Sequence, residues 1–200
     1  MKMYARDYRV KAHEACRPLS SQLALIYLVY ASIFVVLGGL TVIGIGAIGL
    51  LLVAGPMTFG WILICKRVYA KKTPRVADLF MGFNRFGDAF LLYLLSNIYI
   101  SLWTLFFIIP GIIKIYSYAM APFILFENPD MSADDAITKS CEIMDGHRWE
   151  LFCLEFSYIG WAILCLLTFG ILIFWVGPRM QAARYAFYLN ISGKSEKKRL

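Results

Sequence analysis

Charge is scarce in this chain, and it is unevenly distributed. Asp, Glu, Lys and Arg make up 16% of the 200 residues, whereas soluble globular domains carry about 25% charged residues. Residues 18–65 contain no charged side chain at all. Together with 60% hydrophobic residues and a mean hydropathy of +0.65, this composition excludes an ordinary soluble domain and indicates a polytopic membrane protein.

The sequence also lacks the residue patterns of metal, redox and hydrolytic chemistry. No P-loop, HExxH motif or Ser, His and Asp arrangement is present, and His13 and His147 are the only histidines. The five cysteines form no CxxC or CxxxC pair, which argues against disulfides and zinc; they are Cys16, Cys65, Cys141, Cys153 and Cys165. We therefore expect no cofactor, no metal and no enzymatic activity. A lipid-modifying enzyme with chemistry at Glu155 or His147 stays an alternative.

Six hydrophobic stretches are predicted to cross the bilayer, for which a helix needs about 20 residues. The predicted spans, which form three hairpins, are 22–40, 44–65, 89–109, 112–126, 151–170 and 172–190. Pro110-Gly111 is predicted to make the turn of the second hairpin. The whole chain, 1–200, is then a single membrane domain. It consists of a cytoplasmic interfacial segment (1–21), a six-span helical bundle (22–190) and a basic cytoplasmic tail (191–200).

The basic residues lie on one side of these spans. Seventeen of the twenty Lys and Arg residues fall in the N-terminal segment, the loops 66–88 and 127–150, and the C-terminal tail, while the three opposite connections carry none. Because Lys and Arg favour the cytoplasmic side, this bias predicts that both termini are cytoplasmic. The charges flank spans instead of forming a nucleic-acid-binding element, so we expect no nucleic-acid partner.

Both charged loops are predicted to contain short interfacial helices. In the loop 127–150, Ser132 is a candidate N-cap with Asp135 at the capping-box position, and Gly146 is suited to end the helix. In the loop 66–88, apolar and aromatic residues recur at helical spacing, which is typical of a helix lying at the lipid headgroups.

Glu155 and Arg184 are the most informative candidate functional residues, because a charge near the bilayer centre costs about 2.5–3.5 kcal/mol. They lie at matching depths in spans five and six, and this match predicts an ion pair. The pair either fixes the hairpin or contacts a lipid headgroup, an anion or a proton, and the sequence leaves both readings open.

Two polar stripes on spans four and six are candidates to line a shared cavity. Interhelical hydrogen bonds are the alternative, with the long side chain of Lys114 reaching the membrane interface. Arg179, near the outer end of span six, is a further candidate contact. The stripes consist of Gln181, Arg184, Tyr185 and Tyr188 on span six and Lys114, Ser117 and Tyr118 on span four.

Short motifs stand in a specific order between residues 55 and 188. They are Gly55-Pro56 with Gly60, Asp78-Leu79-Phe80 with Gly82-Phe83, Leu102-Trp103 with Ile109-Pro110-Gly111-Ile112, Tyr118, Asn128-Pro129, Ser140, Met144, Gly146-His147, Leu151-Phe152, Ser157, Ile159-Gly160-Trp161 and Phe187-Tyr188. In these motifs the chain resembles a family of small bacterial membrane proteins, domain of unknown function 975. It departs from the family at Arg179, where a tyrosine usually follows the proline. The resemblance implies a multi-pass protein of the bacterial plasma membrane and supplies no catalytic residue, ligand or reaction.

The sequence therefore favours a non-enzymatic membrane component that acts through protein or lipid partners at its cytoplasmic face. The nearly uncharged outer face disfavours a receptor for external proteins, whereas the cytoplasmic side carries the acidic loop, the basic loops and the aromatic stripes. The alternative is a small transporter or efflux component whose polar pathway runs along spans four and six. A homo-oligomer is left open, and a homodimer suits the transporter reading better.

Overall fold

The computed structural model describes residues 4–41, 45–106, 108–168, 170 and 172–193. Across these residues the secondary structure is helical, without a β-strand. Four helical segments are long and apolar enough to cross a membrane: Ala5–Leu40, Ile48–Tyr69, Val76–Phe106 and Ile109–Glu127. The all-α class is therefore confirmed. The division into six spans and three hairpins stays a prediction, and the basic tail residues Lys194, Lys197, Lys198 and Arg199 lie outside the described residues.

The α-helices are named in chain order. They are α1 (Ala5–Cys16), α2 (Ser20–Leu40), α3 (Ile45–Tyr69), α4 (Val76–Phe80), α5 (Phe86–Phe106), α6 (Ile108–Tyr118), α7 (Ala121–Glu127), α8 (Ala133–Ile143), α9 (Arg148–Phe156), α10 (Ile159–Leu167) and α11 (Ile173–Ile191). Two 3-10 turns, Arg17–Leu19 and Met81–Arg85, join α1 to α2 and α4 to α5.

Predicted spans four and five are each divided between two helices. Span four consists of α6 and α7, and span five of α9 and α10. The turn predicted at Pro110-Gly111 is wrong, because both residues lie in the first turn of α6. Proline is tolerated there, since its missing N–H has no partner inside the helix. At Gly111 a Cβ atom would overlap Thr104 of α5, so glycine allows this close approach.

The helix pair α1–α2 runs antiparallel to α11. The ring of Tyr8 meets Phe187 edge-on with centroids 5.4 Å apart, and the ring of Tyr27 meets Phe174 at 6.4 Å. Asn190 Nδ2 also donates a hydrogen bond of 2.8 Å to the Tyr8 hydroxyl. The N-terminal helix α1 is therefore packed on the last helix, α11.

Glycines allow α4 and the turn after it to lie directly on α3. A Cβ atom at Gly60 would overlap the carbonyl oxygen of Leu79, and one at Gly82 would overlap the carbonyl oxygen of Pro56. Such backbone contact is open only to glycine. This geometry accounts physically for the glycines in the motifs between residues 55 and 83.

Burial is unequal along the bundle. The largest fully buried side chains include Tyr8, Ile64, Leu79, Ile124 and Tyr188, which come from α1, the second half of α3, α4, α7 and the end of α11. Large apolar side chains are instead exposed in two regions, here called the exposed ends and defined as the described residues within 35–52 and 98–115. Exposed apolar surface of this extent is typical of a lipid-facing region.

Candidate functional site

Glu155 and Arg184, predicted to pair, lie next to each other in the structure. Arg184 Nη2 is 2.7 Å from Glu155 Oε1, and the two side chains are 35% and 21% exposed. The Tyr116 hydroxyl donates to the other carboxylate oxygen, Oε2, at 3.3 Å. The carboxylate on α9 thereby connects to both α6 and α11, which lie far from each other in the sequence.

A cavity of about 250 Å³, here called the polar cavity, is lined in part by Arg184. Its walls come from α2, α3, α11 and the segment that leads from α6 into α7. The polar side chains in these walls are Tyr30, Thr58, Trp61, Gln181 and Arg184. Trp61 Nε1 and Arg184 Nε are buried and have no hydrogen-bond partner among the described residues.

An apolar cavity of about 240 Å³ adjoins the polar cavity between α3, α5 and α6. Both cavities share Thr58, Ala119 and Pro122 in their walls. Tyr118 lines the apolar cavity, whereas Gln181 lines the polar one. Tyr118 of one predicted stripe and Gln181 of the other thus border neighbouring cavities.

Other members of the stripes lie away from both cavities. Lys114 Nζ lies over the rings of Trp103 and Tyr118, at 5.1 Å and 5.7 Å from their centroids. Tyr185 is buried between aromatic rings, including Tyr69 at 5.6 Å and Phe123 at 6.1 Å. Lys114 therefore covers aromatic surface in one of the exposed ends, and Tyr185 is part of the packed core.

Ser117 takes part in a hydrogen-bond network at the break between α6 and α7. Its carbonyl oxygen accepts a 2.6 Å hydrogen bond from the hydroxyl of Ser140, and that hydroxyl in turn accepts one of 3.2 Å from the N–H of Met120. Buried backbone groups at a break need such partners. The acidic-loop helix α8 therefore supports the membrane segment through Ser140.

The predicted N-cap of that helix is confirmed. α8 starts after Ser132, whose hydroxyl oxygen accepts from the N–H of Asp135 at 3.1 Å. Gly146, three residues after the end of α8, has a φ of 76°. The acidic side chains Asp134, Asp135 and Glu142 are exposed on α8, so this loop presents a folded, negatively charged surface.

A groove of about 440 Å³, which we call the arginine groove, is lined by residues of α1, α10 and α11 beside the contact between α1 and α11. Its charged lining residues are Arg6, Arg9, His13, Glu14, Arg17 and Arg179, and its apolar ones include Val10, Trp161 and Val176. Arg179, a candidate contact from the sequence, lies in this groove beside residues of α1. Because α11 runs antiparallel to α1–α2, this residue comes close to the start of the chain.

The arginine groove has a strong excess of positive charge. Arg9 Nη1 donates to the carbonyl oxygen of Ser157 at 3.3 Å, and the Arg9 guanidinium lies 5.7 Å from the centre of the Tyr158 ring. The other three arginines form no ion pair with any residue that the structure describes. Planar guanidinium groups bind phosphates and carboxylates through paired hydrogen bonds. The groove is therefore suited to an anionic group.

Two features of these sites were missed from the sequence. Trp61 and Tyr30 lie in the charge-free stretch 18–65, where nothing distinguishes a cavity wall from a lipid-facing position. The sequence did contain a signal for the arginine groove. Helical spacing recurs at Arg6, Arg9, His13 and Arg17, which places these residues on one face of a helix. Among the described residues no group of three potential metal ligands occurs.

The helical fold and its four long apolar helices fit a membrane-embedded protein, which is the class that the structure defines. Within that class, the family model described as protein of unknown function (DUF975) matches residues 108–195 and confirms the family indicated by the motifs. The matched residues include Glu155, Arg179 and Arg184. No curated protein and no solved structure matches the chain.

Proposed function

We propose that this protein is a non-enzymatic, multi-pass component of the bacterial plasma membrane that acts through lipid or protein partners at its cytoplasmic face. The arginine groove is the observation that carries the proposal. Four guanidinium groups and one carboxylate line it, and Val10 and Trp161 add exposed apolar surface. Anionic phospholipids of the cytoplasmic leaflet combine these two properties, and basic pockets between membrane helices bind such headgroups.

The proposed topology has six spans and both termini in the cytoplasm. Its support is the charge bias, with the third hairpin formed by α9–α10 and α11. Single cysteines at Lys72 and Thr41, in a variant without the native cysteines, provide the test, since both positions are exposed. A membrane-impermeant maleimide should label position 72 only from the cytoplasmic side and position 41 only from the outside. The opposite pattern would reverse the topology and remove the groove from the cytoplasmic leaflet.

The groove itself is tested by extracting the protein from its host membrane into lipid nanodiscs and recording native mass spectra. The variant R6Q/R17Q removes two exposed guanidinium groups, and K71Q/K72Q removes two exposed charges from another loop. We expect the wild type and K71Q/K72Q to retain an anionic lipid and R6Q/R17Q to lose it. Equal lipid retention by all three proteins would contradict the lipid role.

A protein partner would be found in the same spectra as a stoichiometric second chain. The exposed acids of α8 support this form of the proposal, because they offer a charged surface on a helix held by its N-cap. Replacing Asp134, Asp135 and Glu142 with Asn or Gln should then abolish the complex. An unchanged complex would place the contact elsewhere and would contradict a role for this surface.

A small transporter is the second candidate function, and the adjoining polar and apolar cavities favour it. In this case, the variant R184K should alter uptake or resistance to a compound without lowering the amount of protein in the membrane. A variant that behaves like the wild type in every transport assay, with equal protein levels, would argue for the first proposal.

A further inference from the structure

We propose that the arginine groove binds two phosphate groups of a single lipid, as in cardiolipin, where a glycerol bridge joins two phosphodiesters. This role rests on the proposed function and specifies the class of lipid. Four guanidinium groups line one groove of about 440 Å³. They stand at two separate places along it, and each place suits one phosphate.

Three of the guanidinium groups come from one face of the N-terminal helix. Arg6 and Arg9 belong to the first half of α1, and Arg17 directly follows the last residue of that helix. At about 1.5 Å per residue, Arg9 and Arg17 are about 12 Å apart along the helix axis. Arg9 is also held at its own end of the groove, because it donates to the carbonyl oxygen of Ser157 and lies over the ring of Tyr158.

The fourth guanidinium group, that of Arg179 on α11, belongs to the Arg17 end. Arg179 lines a small neighbouring cavity together with Cys16 and Ser20, which stand on either side of Arg17 in the sequence. Each end of the groove thus has two arginines. Guanidinium groups bind phosphate through paired hydrogen bonds, so each pair provides the donors for one phosphate.

The charge of the groove is better matched by two phosphodiesters than by one. Four guanidinium groups against the single carboxylate of Glu14 leave a net charge of +3 when His13 is neutral. Arg6, Arg17 and Arg179 have no ion pair within the described part of the chain, so the protein itself leaves them uncompensated. One phosphodiester neutralises one of these charges, whereas cardiolipin neutralises two.

Apolar surface beside the arginines favours a lipid over a soluble bisphosphate. Val10 and Trp161 line the same groove and are 47% and 38% exposed. Tryptophan side chains are enriched at the level of the lipid headgroups. Arg6 and Arg17 are exposed, so a headgroup at this level has free access to both ends of the groove. Basic pockets between membrane helices bind headgroups of this kind.

Titration of the purified full-length protein in a mild maltoside detergent tests the number of phosphates. Native mass spectra give the Kd of the first bound lipid for cardiolipin, phosphatidylglycerol, phosphatidic acid and the zwitterionic phosphatidylcholine. We expect cardiolipin to bind at least about tenfold more tightly than the other anionic lipids, a factor that one further charge-assisted hydrogen bond already supplies. Phosphatidic acid separates charge from phosphate number, because its single phosphomonoester carries about −1.5 to −2 charges at pH 7.

Single substitutions at the two ends connect this preference to the arginines. R6Q and R17Q each remove one exposed guanidinium group from a different pair, and the control K72Q removes an exposed charge outside the groove. R6Q and R17Q should each abolish the preference for cardiolipin over phosphatidylglycerol, and K72Q should keep it. A preference that persists in both variants would come from the four acyl chains and would overturn the two-phosphate site.

Two further comparisons separate this role from the proposed function. Equal Kd values of cardiolipin and either phosphatidylglycerol or phosphatidic acid would overturn the two-phosphate site and leave an anionic-lipid site in place. Equal binding of all four lipids, or binding of none, would contradict the lipid role as well. Deacylated cardiolipin serves as a soluble competitor, and displacement of the lipid at an equal concentration would assign the groove to a soluble bisphosphate instead.

Discussion

Asp78 on α4 and Arg67 on α3 form an ion pair in which Oδ2 and Nη1 lie 2.9 Å apart. The same carboxylate oxygen accepts a 2.8 Å hydrogen bond from the N–H of Arg75 at the start of α4. Asp78 is 3% exposed, in contrast to the half-exposed side chain of Asp88 in its pair with Arg85. One buried carboxylate thus both begins α4 and attaches it to the membrane helix before it.

Replacing Asp78 with Asn should lower the free energy of unfolding by about 1–3 kcal/mol, because charge-assisted hydrogen bonds of a buried group are lost. D88N is the matched control, and its exposed pair should contribute less than about 1 kcal/mol. Unfolding by SDS in mixed micelles measures both changes. Equal effects of the two substitutions would show that burial does not set the strength of the Asp78 pair.

A second prediction concerns the stability that depends on the close contact between α3 and α4. G60A should destabilise the protein by at least about 1–3 kcal/mol, the usual cost of overpacking, because the new methyl group would overlap backbone at Leu79. G87A is the control, since no atom lies near its Cβ position in α5. An exposed Gly to Ala change in a helix is neutral or stabilises by up to about 1 kcal/mol. Thermal unfolding midpoints in detergent should therefore separate the two variants, and similar midpoints would refute the close contact.

The Glu155 and Arg184 pair is tested by a double-mutant cycle. E155Q and R184Q should each destabilise the protein, and the double variant should lose less than the sum of the two. Contacting pairs show coupling energies of about 0.5–3 kcal/mol. Additive losses would mean that the two side chains contribute independently, despite the 2.7 Å separation of Nη2 and Oε1.

The attachment of the N-terminal helix is tested at Tyr8, which is 1% exposed and accepts a hydrogen bond from Asn190. Y8F should lower the free energy of unfolding by about 0.5–1.5 kcal/mol, the net value of a typical hydrogen bond. The exposed Tyr4 gives the control Y4F, with an expected change within about 0.5 kcal/mol. Protease protection of α1 should decrease in Y8F alone. A loss of the same size in Y4F would show that the effect is not specific to this contact.

Local chemistry made part of this structure predictable. The Ser132 cap followed from residue types at fixed spacing, and the adjacency of Glu155 and Arg184 followed from their equal depth below the membrane surface. Depth along a helix, however, does not give the rotation of that helix about its axis. For this reason Lys114 and Arg184 appeared as equivalent polar residues, although one covers aromatic rings and the other borders a cavity.

The breaks within predicted spans four and five could not be read from hydropathy. An apolar stretch is compatible with one helix or with two, and the choice depends on whether distant groups satisfy the backbone at the break. At Met120 that group is the hydroxyl of Ser140, twenty residues away. The polar cavity could not be predicted for a related reason, because its walls come from helices that lie far apart in the sequence.

The exposed ends, 35–52 and 98–115, affect how the protein behaves when it is taken out of a membrane. Val35, Leu105 and Ile109 are each more than 70% exposed, so these side chains gain little stabilisation from contacts within the bundle. Hydrocarbon chains of the bilayer take the place that interior side chains hold elsewhere in the bundle. Lipid composition and bilayer thickness should therefore affect the structure of the exposed ends. Solubilisation in a short-chain detergent should loosen these ends while the region around Tyr8 and Tyr188 stays intact.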